Sequence, residues 1–221
     1  MKNILSLLII GLCFLNSFAQ IDKGLSLETK FDIFSRNGNI SPNIKGRYFF
    51  NEQNAMRLSL AVDYADNTTE IFEVDGEGVG SVQKTNSFST LSIGYERHFS
   101  EEKLSPYIGG EFNMGFGAIS TYGSRTDSVV FINDFNYSSK QSLNSFGVHI
   151  FTGVDYSLYK GLYIGTEIGY QFTSINTKRG EFKTDDASST TNSSTNTSIP
   201  SNNFKSFSLV NMGVIRIGWF F

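Results

Sequence analysis

The sequence predicts an all-β fold: eight antiparallel strands joined up and down into a barrel that crosses a membrane. Short turns would close one end and long loops the other. Three observations lead there. The composition is that of strands. Apolar residues recur at every second position in eight segments. The connections between those segments alternate between long and short.

Composition comes first. The chain has 221 residues, with 21 Phe, 10 Tyr and 21 Gly but only 3 Pro and one Trp. Aromatic and β-branched residues favour strands, whereas a helical bundle would draw on Ala, Leu, Glu and Lys. With 21 Asp and Glu against 18 Lys and Arg the formal charge is -3, which leaves no basic footprint for nucleic acid.

The chain opens on Met1-Lys2-Asn3, then an apolar run over 4–15 and the small-residue site Ser17-Phe18-Ala19. A short positive start, an apolar run too short to span and a small-residue site make a secretory signal. Residues 1–19 are therefore expected to be removed after Ala19, leaving a mature domain over 20–221 with a charge of about -4 once Lys2 is gone. Cys13, the sole cysteine, leaves with them. Leu12 precedes it where a lipidation signal needs a small residue, so lipidation is not expected. Beyond Leu15 no stretch holds the 18 or more apolar residues of a membrane helix.

Eight segments then alternate at period two, the mark of a strand with two unlike faces. They are 25–33, 43–50, 56–64, 87–99, 107–118, 145–156, 162–172 and 204–221. The third is the cleanest: Met56, Leu58, Leu60, Val62 and Tyr64 alternate with Arg57, Ser59, Ala61 and Asp63. Most reach the roughly 9–11 residues of a tilted membrane strand. Phe88 in the fourth segment and Val210, Met212 and Val214 in the eighth are out of phase. A bulge near each site would restore the alternation.

The connections 51–54, 100–105 and 158–161 are tight, while 65–86, 119–144 and 173–203 are long and 35–42 intermediate. A longer one follows every odd strand. A meander whose ends face different compartments produces this pattern. Fifteen of the 20 residues over 184–203 are Ser, Thr or Asn, so that loop tip is expected to be mobile.

Alternation alone does not say which face points inward. The export signal and the aromatic ends of the apolar set favour an apolar face turned to lipid. Those ends are Tyr48, Phe50, Tyr95, Phe99, Tyr107, Tyr156 and Trp219 on the turn side, and Tyr64, Phe116, Phe146, Tyr170 and Phe172 on the loop side. The inward set is then a polar network of Glu28, Lys30, Asp32, Lys45, Arg47, Arg57, Asp63, Glu96, Glu111, His149, Asp155, Glu167 and Arg216. Eight strands leave a lumen just wide enough for its own side chains, so mixed charges there are expected to pair rather than line a conduit.

The chain ends on Val214-Ile215-Arg216-Ile217-Gly218-Trp219-Phe220-Phe221. Ile215, Ile217, Trp219 and Phe221 resemble the carboxy-terminal assembly signal of bacterial outer-membrane barrels, a terminal aromatic with apolar residues at every second position before it. The whole of 20–221 resembles the eight-stranded OmpA-like and OmpX-like barrel group, in the form common in Bacteroidota. It departs from OmpA in carrying no peptidoglycan-binding domain after the barrel. The resemblance implies a Gram-negative outer-membrane protein with periplasmic turns and extracellular loops. Its partners would be lipopolysaccharide and phospholipid, the barrel-assembly machinery during biogenesis, and an unknown extracellular ligand. The implied role is structural, or recognition and adhesion through the long loops.

Two other classes compete with this reading. An enzyme acting on lipid A or surface protein needs a base beside a carboxylate; only His98 and His149 are available, and His149 reads as an interior hydrogen-bonding residue. A soluble, exported, lipocalin-like ligand-binding barrel would show an early Gly-x-Trp motif and a carboxy-terminal helix, and neither pattern is present. No catalytic or cofactor-binding residues are assigned, and the spacing of His and Cys suggests no metal site. Asp75-Gly76-Glu77-Gly78-Val79-Gly80 lacks the strand–helix context of a phosphate loop. The acidic connection 65–86 reads as a solvated loop. Asp127-Ser128-Val129 resembles a short O-glycan acceptor motif of Bacteroidota, a match that three residues readily make by chance.

Overall fold

The structure is a computed structural model and describes residues 24–32, 43–72, 79–99, 103–125, 135–186, 193–210 and 214–221. The signal segment with Cys13, the 35–42 connection and the Asp127-Ser128-Val129 motif lie outside the described residues.

Every element among the described residues is a strand: β1 (Leu25–Asp32), β2 (Asn43–Asn51), β3 (Asn54–Phe72), β4 (Val79–His98), β5 (Leu104–Arg125), β6 (Phe135–Tyr159), β7 (Leu162–Thr177), β8 (Gly180–Asp186), β9 (Ser193–Ile199), β10 (Asn202–Val210) and β11 (Val214–Phe220). Consecutive strands from β1 to β7 pair antiparallel, and β11 pairs with both β7 and β1. Eight strands thus form a ring of hydrogen bonds that returns to its start, with β8, β9 and β10 as additions. Phe221 N–H donates to Leu25 O (2.8 Å) and extends the β11–β1 seam to the last residue.

Tight turns follow from their residues. Asn51 Oδ1 accepts from the amides of Gln53 (3.0 Å) and Asn54 (2.9 Å), a side chain standing in for a backbone turn. Between β6 and β7, Lys160 (φ 38°) and Gly161 (φ 89°) are both left-handed, the two-residue hairpin turn whose twist suits antiparallel strands.

The long connections differ from expectation. Much of 65–86 and 119–144 is strand: Asp66 pairs with Thr85, and Arg125 with Phe135. β3 to β6 run 19, 20, 22 and 25 residues, far beyond what a membrane crossing needs. Thr68, Thr69, Val82 and Thr85 supply β-branched side chains there, but both faces are polar, so no alternation marks the strand. The Ser/Thr/Asn-rich stretch expected to be mobile instead contains β9, paired with β8 from Gly180↔Ile199 to Asp186↔Ser193. Thr177↔Asn202 lies in the same register, so β8 and β9 prolong the β7–β10 ladder. The interruption falls beside Pro200, whose nitrogen has no hydrogen to give a ladder.

Neither phase fault shifts the alternation; both are apolar residues on the inner face. At Phe88 the β3–β4 and β4–β5 ladders run on without a shift, so the expected bulge is absent. Phe88 instead turns to the inner face, where Gly115 and Gly117 leave it room: a Cβ on either would stand 2.4 Å from its ring. In the eighth segment β10 ends with Val210 opposite Gly169 and β11 resumes with Ile215 opposite Thr166, so five residue steps face three. The two extra residues leave the parity unchanged: Leu209 and Ile215 are both exposed, and Val214 is buried on the inner face.

Candidate functional site

The burial pattern inverts that of a water-soluble protein. Along β2 to β7 and β11 one face carries exposed apolar residues, while the ionic residues on the other are buried. Leu58 is 55% exposed and Phe112 57%, while Arg47, Glu96 and Arg216 are 0% exposed. Isolated ions in such a position are costly unless paired, and each strand of the ring contributes at least one partner.

The charged groups form a closed circuit of alternating sign. Glu28 lies 3.0 Å from Arg216, Arg216 2.6 Å from Asp155, and Asp155 2.6 Å from Arg47. From Arg47 the circuit continues to Glu96 (3.0 Å), Arg57 (3.3 Å) and Glu167 (3.0 Å). Lys45 then joins Glu167 (3.7 Å) back to Glu28 (2.8 Å). Arg57 to Glu167 and Arg47 to Asp155 join strands that are not neighbours, so the circuit crosses the ring.

The circuit resolves a local conflict. Arg47 and Arg57 are directly opposite across β2 and β3, a like-charge pair that is destabilising by itself. Glu96 on β4 reaches both guanidiniums and offsets the repulsion. Charge-assisted contacts of this kind are roughly twice as strong as neutral ones.

Two histidines attach to the circuit. His149 Nδ1 is 3.1 Å from Glu111 Oε1, and Glu111 Oε2 is 3.0 Å from Arg57 Nε. His98 Nε2 is 3.2 Å from Glu96 Oε1, and its Nδ1 is 2.8 Å from Ser105 Oγ. The sequence does not announce this Ser105–His98–Glu96 contact. Its members match a hydrolytic relay in kind, but Glu96 is already shared between two guanidiniums. Among the described residues, no group of three or more His, Cys, Asp or Glu could hold a metal ion.

Aromatic rings fill the rest of the interior, and sequence reasoning missed them. Tyr107, expected in the outward turn-side girdle, is 1% exposed and donates its hydroxyl to Glu167 (2.9 Å). Its parity shows why: it is in phase with Glu111, not with Ile108 or Phe112. Tyr163 donates to Glu28 (3.0 Å) and packs on Phe220, and Phe151 lies 3.9 Å from the Arg57 guanidinium. Rings beside cations are favourable through their negative faces. Space for them comes from glycine. A Cβ on Gly218 would stand 2.1 Å from Tyr163 Oη, and one on Gly153 2.3 Å from Tyr107 Oη.

Of the expected inward set, Glu28, Lys45, Arg47, Arg57, Glu96, Glu111, His149, Asp155, Glu167 and Arg216 are buried. Lys30 is half-buried. Asp63 shares their parity but is exposed, because it lies beyond the last filled layer, where β3 rises past its neighbour β2. The side chain of Asp32 lies outside the described residues. The terminal residues Ile215, Ile217, Trp219 and Phe221 are exposed at 40–43% on one face of the seam.

The chain is similar to several solved structures. A major outer membrane protein from Thermus thermophilus is 12% identical with a TM-score of 0.42, over 90% of this chain and 99% of that one. CarO of Acinetobacter baumannii is 11% identical with a TM-score of 0.40, over 91% and 98%. Ail, the attachment invasion locus protein of Yersinia pestis, is 14% identical with a TM-score of 0.35, over 90% and 95%. No curated protein matches the chain significantly. The model of the family described as “Putative OmpA-OmpF-like porin family” matches residues 30–221. With the match extending over most of its length, the chain belongs to the OmpA-OmpF-like porin family.

Proposed function

We propose that the protein is an eight-stranded, up-and-down barrel of the bacterial outer membrane, closed to solutes by its ionic circuit, with a recognition or adhesion role at the cell surface. The observation that carries this is the inversion: an apolar outer face around buried, mutually neutralised charges. In water such a face would aggregate; against acyl chains it is the favourable one. Exposed aromatic residues bound it at both ends. Phe146 and Tyr156 mark the ends on β6, ten residue steps or about 33 Å of tilted strand apart. Tilt reduces that to about the 25 Å of an outer-membrane apolar band.

On this reading the tight turns face the periplasm and the prolonged parts of β3 to β6, with β8 and β9, stand outside the cell. Segment 1–19 would direct export, and Ile215, Ile217, Trp219 and Phe221 would be read by the assembly machinery. The surrounding lipopolysaccharide and phospholipid are then its solvent. A Bacteroidota source is consistent with the sequence pattern. The filled interior favours a scaffold over a conducting pore, since a path along the axis would have to part the circuit. Binding function sits on surface segments held by such rigid frames.

Two measurements test this together. Heat-modifiable migration in gels is expected for the closed barrel. Protease added to intact cells is expected to cut within the segments that join β3 to β4 and β5 to β6 and to spare the turn at Lys160. Recovery of the protein in the soluble periplasmic fraction without detergent would overturn the reading.

A further inference from the structure

Above the ring, β4, β5, β6 and β8 lie side by side and their outward face is concave. It encloses a cleft of about 340 Å³, lined among others by Gln83, Ser120, Tyr122, Lys140, Glu181 and Lys183. Tyr122 has the parity of Phe116, and Lys140 that of Phe146, so the cleft opens on the same side as the apolar face. Each stands six residues beyond the last outward aromatic on its strand, about 20 Å farther along. Given the strand tilt, that is roughly 15 Å above the aromatic boundary. The cleft thus overlooks the membrane surface at the height of headgroup sugars.

Its chemistry is specific. Tyr122 is 49% exposed and offers a ring face to apolar C–H groups. Gln83 is fixed by donating Nε2 to both Asp66 oxygens (3.2 and 3.0 Å), so its position is set before any ligand arrives. Lys183 is 3.4 Å from Glu181, while Lys140 has no carboxylate within 4 Å among the described residues. One lysine is therefore already neutralised and one is not. An apolar ligand has too little to bury against here. A cluster of phosphates would meet the Glu181 carboxylate. A sugar with one acidic group per ring suits a single available cation, a carboxylate that accepts hydroxyls, and an aromatic face.

We infer that this cleft binds an acidic saccharide, its ring on Tyr122, its acid on Lys140 and its hydroxyls on Glu181 and Ser120. The inference rests on the extracellular placement proposed above. Two sources share this chemistry, the glycan headgroup of the surrounding lipid and a free surface glycan.

The test uses the full mature chain folded in micelles, titrated calorimetrically with trigalacturonate and, as the neutral control, maltotriose. Trigalacturonate is expected to bind at least tenfold more tightly than maltotriose. Lys140→Gln and Tyr122→Ser are each expected to weaken it tenfold or more, and Lys205→Gln, outside the cleft, to leave it unchanged. Displacement of trigalacturonate in nanodiscs containing lipopolysaccharide assigns the headgroup as the source, and its persistence there assigns a free glycan. Equal binding of the two sugars, binding of neither, or indifference to Lys140→Gln overturns the inference. A heat-modifiable protein that ignores both sugars refutes the cleft alone; loss of heat-modifiability refutes the barrel reading.

Discussion

Removal of one cation from the ionic circuit is the sharpest test of the interior. Arg57 faces three carboxylates. Its Nη1 and Nη2 contact Glu167 at 3.0 and 3.3 Å, Nη1 is 3.3 Å from Glu96, and Nε is 3.0 Å from Glu111. The buried charged set has five acids (Glu28, Glu96, Glu111, Asp155, Glu167) and four bases (Lys45, Arg47, Arg57, Arg216). Arg57→Met keeps much of the volume but leaves five acids against three bases. Glu111 suffers most, since its remaining partner is His149. Breaking a buried pair from one side typically costs about 3–5 kcal/mol, because a charge is stranded rather than because a bond is lost. Adding Glu111→Gln removes that carboxylate, so the double variant is expected to lose less than the two singles together by about 1–3 kcal/mol. Equilibrium urea unfolding from lipid vesicles reads this out through Trp219, the single tryptophan, whose emission shifts as it leaves lipid. An Arg57→Met variant within about 1 kcal/mol of the parent, or a strictly additive double variant, would refute the account of a neutralised interior.

Other expectations follow from single positions. Leu60→Arg, at the middle of the outward apolar run from Met56 to Tyr64 on β3, is expected to cost about 2–4 kcal/mol, and Tyr64→Arg at the end of that run about 0–1, by the same unfolding assay; equal costs would argue against lipid around that face. Gly218→Ala places a Cβ 2.1 Å from Tyr163 Oη and is expected to cost about 1–3 kcal/mol as overpacking. Gly46→Ala meets nothing closer than 3.9 Å and is the neutral control. Phe221→Ser is expected to lower the amount reaching the outer membrane several-fold in cell fractionation, while protein refolded in detergent keeps its heat-modifiable band.

The ring of eight strands is legible because one face of each is apolar and the other ionic, as in the run from Met56 to Tyr64. The same signal vanishes where both faces are wet. The outer parts of β3 and β4, up to Phe72 and from Val79, and the Ser/Thr/Asn-rich β9 therefore read as loops, although hydrogen bonds between backbones hold them as strands. Tyr107 misleads because an aromatic ring near a strand end looks like a mark of the membrane boundary, whereas its parity with Glu111 places it inside. Phe88 is hidden for a related reason: its space comes from Gly115 and Gly117 on a neighbouring strand, and a single strand's pattern does not report its neighbour's vacancies. The members of the ionic circuit can be named from parity. Their order of contact cannot, because it depends on which residues meet across the lumen.

The span of that circuit along the chain bears on how the molecule is made. Glu28 and Arg216 are 188 residues apart, and Arg57 and Glu167 are 110 apart. A sheet lacking its final hairpin would hold carboxylates and guanidiniums whose counter-ions have yet to arrive. Such a half-built sheet must keep its inner face hydrated, since bare ions are intolerable in hydrocarbon. Water would then leave the centre late and together, as the first and last strands meet, which makes completion a concerted event rather than a strand-by-strand accretion.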